Sequence, residues 1–355
     1  MLAKILLSVV AALVTYSFIS SIAKKLRHAA TAKVLGCDPA PVEPRADPFA
    51  LINLVKTMWA HGNNQLLEYL QGTFENTSSH ANRTVYTYET EFLGDKVLFT
   101  CDPKNIQAML ATQFKDFELG QIRTGSFNPL LGHGIFSADG KQWERSHALL
   151  RPQYSRDQVS DLDLEERHVQ NMLQALPIES KKEKYVFLDS LASETDDPVE
   201  IRNQLLSILV AGRDTTAACL SFMFLMLAQH PDVFSKLRKT IIEDFGTFDS
   251  PKDISFSRLK ACSYLQWCIN ETLRLYPSVP WNSRRSAKDT SLPTGGGKDG
   301  LSPIFVPKGV ETVYIVQIMQ THPEIWGPDA NTFRPERWQN QRHGFEYLPF
   351  NGGPR

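Results

Sequence analysis

An acid and two hydroxyls stand together inside a long apolar stretch, in the run Ala211-Gly212-Arg213-Asp214-Thr215-Thr216. Glycine costs a helix interior about 1 kcal/mol relative to alanine. A Thr hydroxyl there can bond the carbonyl four residues earlier and bend the helix. A locally weakened helix that carries Asp214 and Thr215 suits a site that small molecules and protons approach. Taken alone, the run is better explained by a glycine at a close helix crossing and a solvated aspartate.

Glu271 and Arg274 form a second candidate group, three positions apart on one predicted helix. Such pairs are common on exposed helices and contribute only about 0.2–0.5 kcal/mol. Arg337, in the run Pro335-Glu336-Arg337-Trp338, supplies another guanidinium. These residues permit a Glu271–Arg274–Arg337 cluster, although their spacing alone does not establish one.

Basic and aromatic residues from distant segments form a third set. Trp143 precedes His147 by one helical turn, Arg284 follows a predicted helix, and Arg355 is the last residue. Guanidinium groups that converge from different segments can bind a carboxylate-bearing ligand. The alternative for each of them is an ordinary surface charge.

Composition limits the possible functions. The chain has 355 residues, of which 42% are hydrophobic, and a net charge of −1. Nothing in this balance points to nucleic acid as a partner. The five cysteines form no CxxC pair, which argues against a disulfide framework and for a reducing compartment.

The predicted elements that carry these residues are mostly helices. Hydrophobic periodicity predicts helices over 50–72, 103–118, 139–151, 198–230 and 257–276. Alternating residues around Gly94-Asp95 predict a β-hairpin over 83–100, and short strands are expected after residue 277. The glycine cluster at 294–299 lacks the Ser or Thr of a phosphate loop and is predicted to be a turn.

The N-terminus predicts a membrane anchor over residues 1–28. Residues 5–23 carry no charge, and about 20 apolar residues span a bilayer. Lys24, Lys25 and Arg27 follow, so the body is expected to face the cytosol. A cleaved signal peptide is the alternative. A proline-rich linker is predicted over 29–48, and the sequons at Asn76, Asn82 and Asn270 should stay unmodified on the cytosolic side.

The final residues, Phe350-Asn351-Gly352-Gly353-Pro354-Arg355, match the first part of a Phe-x-x-Gly-x-Arg-x-Cys loop. With the runs described above, and in this order, they resemble the cytochrome P-450 monooxygenases. Within that family the chain is most similar to fungal, membrane-bound hydroxylases of alkanes and fatty acids. The segments that carry this finer similarity are 151–159, 210–216, 273–280 and 292–297.

The resemblance implies a mainly α fold with small β-sheets, here an incomplete P-450 domain over 49–355. It implies a b-type heme, NADPH electrons delivered by a reductase, an apolar substrate, and a single-pass position in the endoplasmic reticulum membrane. Asp214 and Thr215 would assist proton delivery, and Glu271, Arg274 and Arg337 would form a structural charged cluster. The cofactor-binding residues would be Trp143, His147, Gly212, Arg284, Phe350, Gly353 and Arg355.

Three departures from the family pattern bear on activity. The axial cysteine would be the second residue after Arg355, and none of the five cysteines present occupies a comparable loop. His147 stands where the family usually has arginine, so propionate binding should weaken. The interval between Trp143 and Thr215 is too short for the helices that normally roof the substrate pocket, which predicts an internal deletion near 176–184.

Two hypotheses from different classes follow. The first is a membrane-anchored heme monooxygenase that inserts one oxygen atom into an apolar substrate, such as a long-chain alkane or fatty acid. The second is a non-catalytic, membrane-tethered fragment of such an enzyme. For the chain as written we expect weak heme retention and no hydroxylation.

Overall fold

The structure is a computed structural model that describes residues 2–45, 47, 50–92, 94–154 and 187–354. It is mainly helical with small sheets, as predicted. The expected deletion near 176–184 and the terminal Arg355 lie outside the described residues.

Helices form most of the described chain. They are α1 Leu2–Val34, α2 Leu51–Gly62, α3 Leu66–Ala81, α4 Pro103–Gln107, α5 Gly120–Leu131, α6 Gly140–Leu150, α7 Phe187–Glu194, α8 Pro198–Gln229, α9 Pro231–Phe245, α10 Phe256–Ala261, α11 Ser263–Leu275, α12 Val316–Gln320 and α13 Pro323–Trp326. A π-helical segment covers Ala108–Thr112, and short 3-10 helices cover Phe114–Asp116, Arg151–Tyr154 and Pro335–Trp338.

The strands are short. They are β1 Thr87–Phe92, β2 Asp95–Thr100, β3 Phe117–Glu118, β4 Gly246–Thr247, β5 Ser250–Pro251, β6 Asn282–Ser286, β7 Thr290–Gly296, β8 Ser302–Val306 and β9 Glu311–Tyr314. The main sheet has the order β1-β2-β9-β6-β3, in which β2 and β9 are parallel. The predicted hairpin therefore shares a sheet with β6 and β9, two of the strands expected after residue 277, while β7 and β8 form a separate pair.

The chain divides into two compact units. Unit 1 comprises Met1–Glu118, Trp281–Ile318 and Gly352–Arg355, and it contains the five-stranded sheet and the β7–β8 pair. Unit 2 comprises Leu119–Pro280 and Met319–Asn351.

In unit 1, helix α1 continues past the predicted anchor to Val34. Part of the predicted linker 29–48 then packs along β1. The amide of Glu43 donates to the Glu89 carbonyl at 2.8 Å, and the amide of Glu89 donates to the Pro41 carbonyl at 2.8 Å. Glu43 is buried. These residues form an extra edge of the fold.

In unit 2, helices α8, α9 and α11 share a core that includes Met226, Leu237 and Cys268. The Asp197 side chain accepts the Val199 amide and caps α8. Pro231 ends α8 as predicted and begins α9, a helix that the sequence analysis missed, as it missed α5 and α7.

Several predicted boundaries differ from the structure. The helix predicted over 50–72 is two helices that continue to Ala81, and the one predicted over 257–276 is broken at Cys262. Only the first part of 103–118 is α-helical. Helix α8 has the length and apolar composition to span a bilayer, a property that core helices of soluble proteins share.

Candidate functional site

Glu271 of helix α11 is the centre of a buried charged cluster in unit 2. Its side chain is 0% exposed, and its carboxylate accepts five hydrogen bonds. Arg274 donates from Nε and Nη2 at 2.8 Å each, and Arg337 donates from Nε at 3.4 Å. The Arg334 amide and the Trp338 indole donate at 3.0 Å. This carboxylate is fully satisfied by protein donors.

Arg274 also binds backbone carbonyls from beyond its own helix. Nη1 donates to the carbonyls of Gln320 at 2.8 Å and Ala330 at 2.6 Å, and Nη2 donates to that of Thr332 at 3.4 Å. A buried charge is tolerated only when it is paired and hydrogen-bonded. Arg274 therefore ties the segment 320–332 to α11.

Arg337 extends the cluster outward. Its Nη1 donates to the Trp326 carbonyl at 2.9 Å and to Asp329 Oδ1 at 3.0 Å, and its Nη2 donates to the Asp329 carbonyl at 2.8 Å. The hydrogen bond from Arg337 holds the pKa of Asp329 below its ordinary value. The structure thus brings Glu271, Arg274 and Arg337 together, and it adds Asp329 and Trp338, which the sequence analysis did not assign.

An aromatic group covers this cluster. The Trp326 and Trp338 rings lie 4.5 and 4.8 Å from the His343 ring, and Tyr347 lies 4.6 Å from Trp338. The Arg274 guanidinium stands 5.1 Å from the Trp326 ring centre. Burial lowers the pKa of His343, while Glu346 raises it and Arg274 lowers it further.

The mid-helix run has a different environment. The Asp214 side chain is 68% exposed and lies 3.3 Å from Arg213 Nε. Thr215 Oγ1 donates to the Ala211 carbonyl at 2.5 Å, and the Thr215 carbonyl accepts from Ser278 Oγ at 3.0 Å. Outside its own helix backbone, a Cβ at Gly212 would meet no atom of the described residues within 4 Å. The expected solvated aspartate is present, and the described residues make no close helix crossing at Gly212.

Trp143 and His147 stack on each other in helix α6 of unit 2, with ring centres 5.1 Å apart. Trp143 is buried and His147 is half-buried. Gln204 of α8 donates to Ser146 Oγ at 2.7 Å, which fixes α6 against α8. The two residues predicted to act together are thus adjacent.

Arg284 lies in strand β6 of unit 1 and is 2% exposed. Its Nη1 donates to the Ser283 carbonyl at 2.8 Å, and its guanidinium lies 5.8 Å from the Tyr314 ring centre. Its Nε is buried without a hydrogen-bond partner, and no carboxylate among the described residues forms an ion pair with it. A buried guanidinium in this state is suited to an anionic ligand.

The terminal loop is described as far as Pro354. Gly353, in unit 1, has φ of +83°, and a Cβ there would overlap the Leu110 carbonyl oxygen, so only glycine fits. Phe350, in unit 2, lines an apolar groove of about 740 Å³ between α8, α9 and α11, together with Cys219, Leu220 and Phe234.

The five cysteines are free thiols. Burial raises the pKa of Cys37, Cys219 and Cys262, and that of Cys268 to about 12. Burial also raises the pKa of Cys101 far above its ordinary value. A metal-ligating thiol needs the opposite shift, because the thiolate is the ligand. The described residues contain no group of three or more His, Cys, Asp or Glu that could hold a metal ion.

Comparison with known proteins places the chain in a family. The family model for cytochrome P-450 matches residues 163–355. A cytochrome P-450 monooxygenase from a Fusarium species is 36% identical over 466 aligned positions, covering 99% of this chain and 81% of the relative. One from Alternaria solani is 31% identical over 475 positions, with 99% and 87% covered. Cytochrome P-450 52A4 from Candida maltosa is 34% identical over 418 positions, with 86% and 78% covered.

The chain therefore belongs to the cytochrome P-450 family, and these relatives are fungal. Enzymes of this family are monooxygenases, a class of oxidoreductases that use heme and electrons supplied by a reductase. Both full-length alignments contain more than a hundred positions beyond the 355 residues of this chain.

The residues fit this cofactor only in part. The unpaired guanidinium of Arg284 fits a heme propionate. None of the five cysteines lies in the loop 350–355 that the resemblance assigns to the thiolate ligand, and Cys101, Cys262 and Cys268 are buried. We therefore assign no reaction step to a heme held by these five cysteines.

Proposed function

We propose that this chain comes from a membrane-bound heme monooxygenase that hydroxylates long-chain alkanes or fatty acids. The observation that carries the proposal is the similarity to a 52A-group cytochrome P-450 over most of both chains. The segments 151–159, 210–216, 273–280 and 292–297 support the same assignment at the level of residues. An NADPH-dependent reductase would be its electron donor.

The proposed roles follow the family pattern. Asp214 and Thr215 would assist proton delivery, and the open space beside Gly212 supports access by a small molecule. Glu271, with its two arginines, would brace the loops of unit 2. Arg284 would bind a propionate.

The remaining cofactor contacts are also proposals. Trp143 and His147 would bind a propionate through the indole and imidazole nitrogens. Phe350 and Gly353 would shape the heme-binding loop, and the overlap that a side chain at Gly353 would create supports a fixed backbone there. Arg355 would be a further propionate contact, outside the described residues.

A second candidate is a non-catalytic, membrane-tethered fragment of such an enzyme. The observation that favours it is the exposure of helix α8, since only 6% of its most apolar 18-residue stretch is buried. Leu209, Leu220, Phe224 and Leu225 are exposed on this helix. An apolar helix that the described residues leave largely exposed, together with alignments longer than the chain, supports an internal deletion near 176–184.

One experiment separates these candidates. The purified chain, supplied with heme and reduced, is exposed to carbon monoxide, and its spectrum is compared with that of the Candida maltosa relative. For the fragment we expect no red-shifted thiolate band and no hydroxylation of a long-chain fatty acid with reductase and NADPH. A thiolate band from the chain as written would favour the enzyme. Sequencing the transcript across codons 176–184 and past codon 355 would show whether the chain reflects its gene.

We further propose a single-pass anchor in the endoplasmic reticulum membrane, with the chain after residue 28 in the cytosol. The uncharged stretch 5–23 lies within helix α1, where Tyr16, Phe18 and Ile19 are exposed, and Lys24 and Lys25 follow it. Membrane lipid would cover these side chains.

The orientation is tested with the sequon at Asn76, which is exposed. Expressed in microsomes, the chain should remain in the membrane after alkaline extraction and lose no mass on glycosidase treatment. A version with a cleavable signal peptide in place of residues 1–28 serves as the control, since its body enters the lumen and Asn76 becomes available. Glycosidase-sensitive mass on the unmodified chain would contradict the proposed orientation.

A further inference from the structure

Gln320, at the end of helix α12, is a buried amide whose contacts run in two directions. Its Nε2 donates to the carbonyls of Leu273 at 3.1 Å and Arg274 at 3.0 Å. Its Oε1 accepts the amide of Leu348 at 2.6 Å. Gln320 is 0% exposed. All of these residues belong to unit 2.

The first direction completes the end of helix α11. The last four carbonyls of a helix have no partner within the helix, and those of Leu273 and Arg274 lie in the last turn before Leu275. Gln320 supplies both with a donor. The Arg274 guanidinium returns a hydrogen bond to the Gln320 carbonyl at 2.8 Å. Gln320 is thus bound directly to the buried charged cluster.

The second direction reaches the terminal loop. Leu348 is buried, so its amide needs a protein acceptor, and Gln320 Oε1 supplies it. Phe350, the first residue of the loop motif, follows two positions later. These partners fix the orientation of the Gln320 side-chain amide. Its nitrogen must face the two carbonyls of α11 and its oxygen must face the Leu348 backbone amide, because only the nitrogen donates.

We propose that Gln320 is a positioning residue: through its hydrogen bonds, the ordered Glu271–Arg274 cluster holds the backbone of the segment Leu348–Phe350 in place. The inference rests on the proposed function in one respect, namely that the segment Leu348–Phe350 is part of the heme-binding loop. Its test observes the segment directly and needs no heme, so its failure differs from a failure of the proposed function.

The test uses hydrogen exchange, measured by mass spectrometry on the full chain. The informative variant is Gln320→Glu, whose side chain has nearly the same shape as glutamine. At neutral pH its carboxylate replaces the NH₂ group that donates to two carbonyls with an oxygen that cannot donate. We expect exchange in the peptide 345–350 to become roughly tenfold faster, which corresponds to the loss of about one hydrogen bond. Gln339→Glu makes the same change at an exposed position and should leave this peptide unaffected.

Acid rescue distinguishes positioning from simple core packing. Once the carboxylate introduced by Gln320→Glu is protonated, it has one donor again and can bind a carbonyl of α11 while its other oxygen accepts the Leu348 amide. In Gln320→Glu, the protection of the peptide 345–350 against hydrogen exchange should then recover to that of Gln339→Glu at the same pH. Gln320→Met, which has neither donor nor oxygen, should show the loss at both pH values.

Two results would overturn the inference. One is unchanged protection of 345–350 in both Gln320 variants. The other is an equal loss across 345–350 and the rest of the chain, with no recovery on acidification. The second result would make Gln320 an ordinary core residue.

Discussion

The buried cluster around Glu271 and the exposed run around Asp214 contain similar chemistry in opposite environments. Glu271 is 0% exposed and accepts five hydrogen bonds, while Asp214 is 68% exposed and has a neighbouring arginine at 3.3 Å. Each acid stands on a helix close to an arginine. The difference shows that neighbours from distant segments, and not helical spacing, decide whether an ion pair is structural.

The largest effect is expected for Glu271→Ala. Removal of this carboxylate leaves the buried Arg274 guanidinium without an anion and Arg337 with Asp329 alone, which should lower the free energy of unfolding by about 3–5 kcal/mol. Urea denaturation followed by circular dichroism measures this loss. Glu243→Ala, in an exposed i,i+4 pair, is the matched control and should cost less than about 0.5 kcal/mol. Equal losses for both variants would remove the contrast between the two environments.

Arg274→Lys should have the next largest effect. Lysine keeps the charge but lacks the planar fork that binds Glu271 and three backbone carbonyls. A buried carbonyl left without a donor costs about 1–3 kcal/mol, and the free energy of unfolding should fall by at least that amount. Arg342→Lys changes an exposed residue and is the control. If the two variants have the same denaturation midpoint, the fork geometry is unimportant.

His343 gives a pH-dependent effect at the edge of the cluster. Burial lowers its pKa from the ordinary value of 6.5, with Glu346 opposing the shift and Arg274 supporting it. Below pH 6.5 the unfolded chain therefore binds more protons at this position than the folded chain. Its contribution to stability is fully present above pH 6.5 and is lost as the pH falls below that value.

The measurement for His343 is the free energy of unfolding at several pH values. His343→Phe should flatten the decline on the acid side of pH 6.5, because phenylalanine can keep the ring contacts and does not titrate. His133→Phe, at an exposed histidine, is the control. An unchanged slope in His343→Phe would show that His343 does not couple protonation to folding.

Asp214→Asn should have the smallest effect. Its side chain is exposed and its only ion pair in the described chain is with an exposed arginine, so the change should stay within about 0.5 kcal/mol. Thermal unfolding of the chain as written measures it. A loss above about 1 kcal/mol would show that Asp214 is covered in solution, and the contrast with Glu271 would then be smaller than the structure indicates.

Much of the fold could be predicted from local patterns. The hairpin follows from alternating residues around Gly94-Asp95, and helices α6 and α8 follow from helical periodicity. The breaks in α2–α3 and α10–α11 were missed, because polar residues and a short non-helical link do not change the hydrophobic period. Helix α9 was missed because proline usually ends a helix. Pro231 follows α8 and is also a good first residue of a new helix.

The candidate site divides in the same way. Glu271, Arg274 and Arg337 could be nominated because their motifs are local. Gln320 could not, because its partners are backbone groups of segments far away in sequence. Asp329 could not, because its ion pairs with Arg334 and Arg337 form in a segment without regular helical spacing. A lone glutamine or aspartate carries no local signal of such a contact.

The sequence by itself determined the family, through short motifs whose order and spacing are specific in combination. It also determined the types of most elements, since periodicity and capping act over a few residues. Only the tertiary structure decided which charges are buried, that the N-terminal hairpin shares a sheet with β6 and β9, and that part of the linker lies against β1. Burial and strand pairing depend on contacts between residues distant in the chain, and these contacts exist only after folding.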